Sequence, residues 1–438
     1  MKMYEEYKDS GVKWIGEVPS HWKIAPIKRF LSGMQDGTHG TYQTVDSGYP
    51  LLSAKNVFDT GLCIEDAERK ISKDDYYSII ANGYPQKGDI ALCCVGTIGR
   101  CCIYNEDVPY AFQRSVTFLR CNEAGYNRFF LYCLKSQVAN TQYRMYEKTS
   151  AQSGIYMGVL KTLIFPIPTF IEQHHIAAYL DAKTEKIDKM IAKAEKKIEY
   201  FGELKQSLIT RAVTRGLNPN APLKDSGVKW IGDIPRDWEI PRLNFVTSKI
   251  GSGSTPKGGS EVYVDEGVVF LRSQNVYNDG LRLNDVVHIV PSIHEQMKGT
   301  KVQVDDILFN ITGASIGRCC RFTKGIGEAN VNQHVCIVRP KNILPTFLMY
   351  YLQSFVGQTQ LRQLLKGGNR EGLSGESFKN FYVLLPSPNE QQQIATYLDI
   401  KCSKIDHIVA TQKKKIAYLQ ELKQSLITNV VTGKIKVS

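Results

Sequence analysis

The chain has 438 residues, 42% apolar and 22% charged, with a net charge of +12 and a pI near 9.0. That length exceeds one ordinary hydrophobic core, so two or more domains are expected, and the composition excludes a disordered chain. The opening MKMYEEYKDS lacks the apolar centre of a secretory signal, and no apolar run approaches the roughly 20 residues that span a bilayer. A cytoplasmic protein is expected, whose basic surface favours nucleic acid over a membrane.

Read in order, the chain is written twice, with an offset of about 218 residues, so the architecture is a tandem duplication and not a solenoid of short units. KDSGVKWIGEVPSHW, from Lys8 to Trp22, returns as KDSGVKWIGDIPRDW, from Lys224 to Trp238. The shared stretches Asp9 to Ile15 and Asp225 to Ile231 carry Trp14 and Trp230. Core packing is the ordinary role of such residues, and a docking strip for a partner is the functional alternative. Asn56-Val57-Phe58 matches Asn275-Val276-Tyr277, and Ile98 to Cys102 matches Ile316 to Cys320.

The first part of each copy is a series of short β-branched and aromatic runs between Gly, Asn, Asp and Pro. Gly267 to Arg272, Asp306 to Ile311 and Val335 to Arg339 are examples, and they predict an α+β domain. Asp89 and Asp306 head apolar strands and are read as turn residues. The cysteine doublets Cys93-Cys94 and Cys101-Cys102 lack the C-x2-C spacing of a zinc site. In a reducing compartment they are expected to act as small buried hydrophobes.

The second part of each copy predicts one long helix. Thr169-x-x-Glu172 and Ser387-x-x-Glu390 are capping boxes, each at a P-x-P (Pro166 with Pro168, Pro386 with Pro388), and Gly216 and Gly433 supply the stops. Ile187, Ile191, Ala194, Ile198, Phe201, Leu204 and Leu208 form one seam; Ile405, Val409, Gln412, Ile416, Leu419, Leu422 and Leu426 form its counterpart. A helix of about 42 residues would be about 63 Å long and needs a partner along its seam. Antiparallel pairing of the two duplicates is the expected solution, with the globular parts at opposite ends of a rod. Domain bounds follow: 1–168 and 217–386 for the globular parts, 169–216 and 387–438 for the helices.

Signs of catalysis are lacking. GSGSTPKGG, from Gly251 to Gly259, has no phosphate-loop ending, no H-E-x-x-H occurs, and the adjacent His174 and His175 diverge on a helix. Asn218-Pro219-Asn220 is not the loop with which adenine methyltransferases hold a flipped base. A stand-alone nuclease and an RNA-binding or scaffolding protein are the competing readings. Cleavage by the purified chain with Mg2+ would revive the first, and preference for RNA over duplex DNA the second.

The paired VKWIG-x-[VI]-P-x-x-W segments, the E-Q-x-x-I-A-x-Y-L-D helix starts and the L-K-Q-S-L-I-T ends together resemble the specificity subunits of type I restriction–modification systems. The resemblance covers essentially the whole chain in both copies. It implies two target-recognition domains, each reading half of a split DNA site, separated by two helical spacers. It also implies two methyltransferase subunits and nuclease-translocase subunits as partners. S-adenosylmethionine would belong to the methyltransferase subunits, so no cofactor is expected here.

Features shared by the copies are expected to serve as scaffold or phosphate contacts, and features that differ as base readers. The loops before the long helices differ in content, and Arg144, Lys148, Gln152, Lys366, Asn369 and Arg370 are their candidate readers. A second set follows or interrupts predicted strands: Arg100, Gln113 and Arg114 in the first copy, and Arg318, Asn332, Gln333 and His334 in the second. Arg100 and Arg318 are shared, which points to a phosphate contact or a structural ion pair.

Overall fold

The computed structural model describes residues 3–147, 154–366 and 372–437. The chain forms two compact units, Met1–Glu195 with Lys413–Ser438, and Lys196–Gln412. Each is built on a four-stranded antiparallel sheet. In the first the strand order is Cys101–Ile103, Ile90–Cys93, Val116–Cys121, Leu31–Asp36. In the second it is Cys319–Arg321, Ile307–Asn310, Val335–Pro340, Thr247–Ser252. The duplication is therefore present in topology as well as in sequence, and the α+β class is that expected.

Alternation along the strands fills both faces of each sheet. Ile90, Leu92 and Leu119 pack with Phe129 and Phe130 of the helix Asn127–Lys135, while Ala91, Cys93 and Phe118 pack with Leu52 and Val57 on the other face. The same alternation splits each cysteine doublet. Cys101 and Cys102 lie in different cores, as do Cys93 and Cys94, and Cys319 and Cys320. Burial pushes the Cys102 and Cys320 thiols up to about 12, which keeps them protonated and unreactive. Among the described residues, no three His, Cys, Asp or Glu side chains gather where they could hold a metal ion. A thiol reagent should label the exposed Cys63 in the native protein and leave the doublets untouched. Peptide mapping that found the doublets modified as fast as Cys63 would contradict this packing.

Asp89 and Asp306 do more than turn the chain. Asp89 accepts from the Gln86 amide at 2.7 Å, and Arg120 grips both its oxygens at 2.8 Å. Asp306 accepts from Gln303 at 2.7 Å and from Arg339 at 2.7 and 2.8 Å. Both carboxylates are buried, so each sheet holds one two-pronged ion pair where its second and third strands meet.

The long helices run Phe170–Arg215 and Pro388–Val431, and Gly216 (φ +69°) and Gly433 (φ +73°) close them in the left-handed region. Their antiparallel pairing is visible within each unit separately. In the first unit Lys423 bonds Asp188 at 2.7 Å, and Gly433 lies against Trp22, whose indole reaches Glu172 at 3.4 Å. In the second unit Lys205 bonds Asp406 at 2.7 Å, and Gly216 lies against Trp238 and Glu390. The repeated ELKQSLIT segment has a structural purpose in both. Gln424 and Thr428 bond the Lys135 carbonyl and the Gln137 amide; Gln206 and Thr210 bond the Gln353 carbonyl and the Phe355 amide.

The capping boxes differ from expectation in one copy. At Thr169 the box is complete, with the Glu172 amide donating to the hydroxyl at 3.4 Å and the Thr169 amide donating to the carboxylate at 3.1 Å. At Ser387 the hydroxyl half forms, at 3.3 Å, and the Glu390 carboxylate accepts from the buried Trp238 indole at 2.9 Å without closing the box.

Candidate nucleic-acid interface

At the end of each sheet remote from its ion pair, the chain makes the same turn between a parallel strand and the third sheet strand. In the first unit Ala111–Phe112 runs parallel to Tyr49–Leu52, and the turn closes with the Val116 amide donating to the Gln113 carbonyl at 3.2 Å. In the second, Ala329–Val331 runs parallel to Val268–Leu271, and Val335 donates to Asn332 at 3.1 Å. A glycine loop folds over each turn. Gly37 donates to Val116 at 2.9 Å, and Gly253 donates to Val335 at 2.9 Å. A Cβ at Gly37 would lie 2.2 Å from the Gln113 carbonyl oxygen, and one at Gly253 would lie 2.0 Å from that of Val331. Only glycine admits this approach, so the backbone of the edge is fixed alike in both copies.

On that common backbone the side chains differ. The first unit presents Arg114, exposed, and Gln113, half-buried, beside the exposed His39; the Thr38 hydroxyl is engaged with Tyr42 at 2.6 Å. The second presents Gln333, exposed, held by the Thr255 hydroxyl and by His334 at 3.1 Å, while His334 also engages Thr312 at 2.6 Å. Asn332 is buried, its carboxamide oxygen accepting from the His334 amide at 3.2 Å, which makes it the organiser of the turn and leaves Gln333 outermost.

The shared arginines form the wall beneath. Arg100 lies over the Phe58 ring, 4.8 Å from its centroid, and donates to the Ala54 carbonyl; Arg318 lies over Tyr277 at the same distance. Among the described residues neither makes an ion pair, one of the two roles expected for them: each guanidinium is seated on an aromatic face. In the second unit Arg318, His334, Gln274, Tyr277, Thr312 and Ser315 line an open cavity of about 380 Å³.

Arg144 is exposed in the last turn of the helix Gln137–Tyr146. Lys148, Gln152, Asn369 and Arg370 lie outside the described residues, as does the side chain of Lys366, which ends the helix Phe355–Lys366. The described residues that follow both loops return to the same edge. Gly154 bridges Val95, and Leu373 donates to the Ile311 carbonyl at 2.9 Å, next to Thr312. Sequence reasoning missed Thr38, His39, Thr255 and Thr312. The signal for the first three lies in the Gly-flanked runs GTHG, 37–40, and GSGSTPKGG, 251–259.

Comparison with known proteins agrees with this duplicated design. The family model described as the type I restriction modification DNA specificity domain matches residues 46–200 and 235–419. A putative type I restriction enzyme MjaX specificity subunit of Methanocaldococcus jannaschii is 24% identical, covering 98% of both chains. The EcoBI specificity subunit of Escherichia coli is 28% identical over 75% of this chain and 70% of its own, and the EcoKI specificity subunit of strain K12 is 21% identical over 96% and 90%. Among solved structures, a chain from work on complex assembly and conformational transition of the type I R-M system superposes with a TM-score of 0.69 at 15% identity. The match covers 95% of this chain and 99% of that one.

Proposed function

The chain belongs to the type I restriction modification DNA specificity family, and from that premise we propose how it reads DNA. It is a sequence-specific DNA-binding specificity subunit that recognises a bipartite site through two recognition domains. It directs methyltransferase and nuclease subunits to that site and carries no catalytic chemistry itself. We assign the recognition domains to 1–168 and 217–386 and the spacers to 169–216 and 387–438. No helix among the described residues is long and apolar enough to cross a membrane, and we place the protein in the cytoplasm with its DNA.

The observation that carries the reading is one backbone edge bearing two unlike sets of side chains. Two halves of a split site differ in sequence, so their readers must differ while the scaffold that presents them need not. Arg114 suits a guanine edge or a phosphate, and Gln333 suits the N6/N7 edge of adenine. Arg144, Lys148, Gln152, Lys366, Asn369 and Arg370 are the further residues we propose as readers, on the difference in content between the two copies. Gln113, half-buried next to Arg114, is the second candidate on that turn. Arg100 and Arg318, shared by both units, serve the phosphate backbone or hold the wall on which the readers stand.

Gln333→Ala should therefore relax one half-site only, by about 1–3 kcal/mol at the affected base pair, and Arg114→Ala should do so at the other half-site. Methylation mapping with each variant in the assembled complex reads this directly. An equal loss of affinity on every duplex would mark the residue as a phosphate contact instead. Full retention of both half-sites by both variants would remove the turn from the reading surface.

A further inference from the structure

The segment Lys8 to Gly16 is identical to Lys224 to Gly232, and its fold is identical too. Each forms the loop of a hairpin, Tyr7–Asp9 with Glu17–Pro19 and Leu223–Asp225 with Asp233–Pro235. Ser10 and Ser226 amides bond Gly16 and Gly232 carbonyls, and Asp9 and Asp225 accept from Gly11 and Gly227. Those bonds, and the positive φ of the four glycines, account for Asp, Ser and Gly at their places.

They do not account for the rest. Lys8, Lys13, Lys224 and Lys229 are exposed, and their side chains bond nothing among the described residues. Exposed positions just beyond the loop have diverged freely, His21 to Asp237 and Lys23 to Glu239, the latter with reversal of charge. Trp14 and Trp230 are half-buried, yet the Nε1–H of both is shielded from water and has no acceptor. A shielded donor left unpaired is a net cost to the fold, and this chain carries the same defect twice. In the other long identity, ELKQSLIT, the lysine, glutamine, isoleucine and threonine are engaged within each unit.

The location separates these loops from the DNA-reading edge. Each hairpin stands at the end of a long helix, Tyr7 donating to the Gly433 carbonyl at 3.0 Å and Asp233 lying 3.9 Å from Arg215. In the first unit the six-residue strand Leu31–Asp36 lies between this end and the turn at Gln113, a span of about 20 Å at ~3.3 Å per residue.

We propose that Lys8–Trp14 and Lys224–Trp230 are one docking face used twice, each taking an acidic segment of a methyltransferase subunit whose carboxylate or carbonyl accepts the indole N–H. Identity of the face in two otherwise divergent units fits one partner bound in two copies. Two lysines beside an orphan donor fit an anionic, acceptor-bearing segment. The inference rests on the specificity-subunit reading above.

The test uses the full chain co-expressed with its methyltransferase subunit, with stoichiometry read by native mass spectrometry. The unaltered chain should carry two methyltransferase subunits, Lys13→Glu or Lys229→Glu alone should leave one, and the double variant none. Trp14→Phe with Trp230→Phe, which keeps the ring and removes the N–H, should weaken assembly at least fivefold. Two subunits on the double lysine variant at unaltered affinity would overturn the proposal. So would a loss of DNA binding by the chain alone with the salt dependence falling by about one per lysine, which would assign the loops to phosphates. Failure of the unaltered chain to hold any methyltransferase subunit would defeat the reading of function instead.

Discussion

Replacing Asp306 by alanine is expected to destabilise the second unit by about 3–5 kcal/mol, the cost of leaving Arg339 without its buried partner. Asp306 is fully buried and holds three bonds, two from Arg339 and one from the Gln303 amide. The Arg339 side chain retains 23% exposure and can turn partly to water, which places the loss toward the lower end of that range. Asp306→Asn should cost less, because the carboxamide oxygen still accepts from Gln303. Asp89→Ala should do the same to the first unit through Arg120. Chemical denaturation with a probe in each unit would read this as loss of one transition while the other stays in place. Two unchanged transitions would show that the pair is dispensable.

The second large effect concerns the DNA that is not read. Four residues inserted after Glu195, in helical conformation, lengthen the first long helix by about 6 Å. At ~3.4 Å per base pair that is one to two base pairs. Methylation mapping should then show both half-sites unaltered and the gap between them changed. The seam residues make the register strict, since each unit fixes it with its own bond, Asp188 to Lys423 and Lys205 to Asp406. Altered half-sites with an unaltered gap would abandon the idea that helix length measures the site.

Much of the architecture was legible because duplication doubles every signal. Pro166, Pro168 and Thr169 with Glu172 mark the helix start, and Gly216 marks its end, in a pattern that recurs one half-chain later. The seam of steps of three and four needs a partner, and the duplicate supplies it. The bond from Trp238 to Glu390 was not legible, because the two residues are remote in sequence and meet only in the folded unit. Arg120 and Arg339 escaped notice for the same reason: nothing local to a strand announces that its arginine closes on an aspartate one strand away. The reading edge was half visible. Arg114 and Gln333 stood out as polar residues interrupting strands, but the loops that cover them are set by the closeness of Gly37 and Gly253 to a neighbouring backbone, a contact that only the fold creates.

The two units differ in how the chain assembles them. Residues 196–412 are contiguous, whereas the first unit takes its last part from residues 413–438, and Ile427, Val430, Val431 and Ile435 are buried in its core. During synthesis at ~5–20 residues per second, the earlier half therefore waits roughly ten to fifty seconds for the segment that seals it. The later-made half can complete its own interior first. Truncation of the final 26 residues should for that reason injure the half nearest the amino terminus, far away along the polypeptide, and spare the half beside the cut.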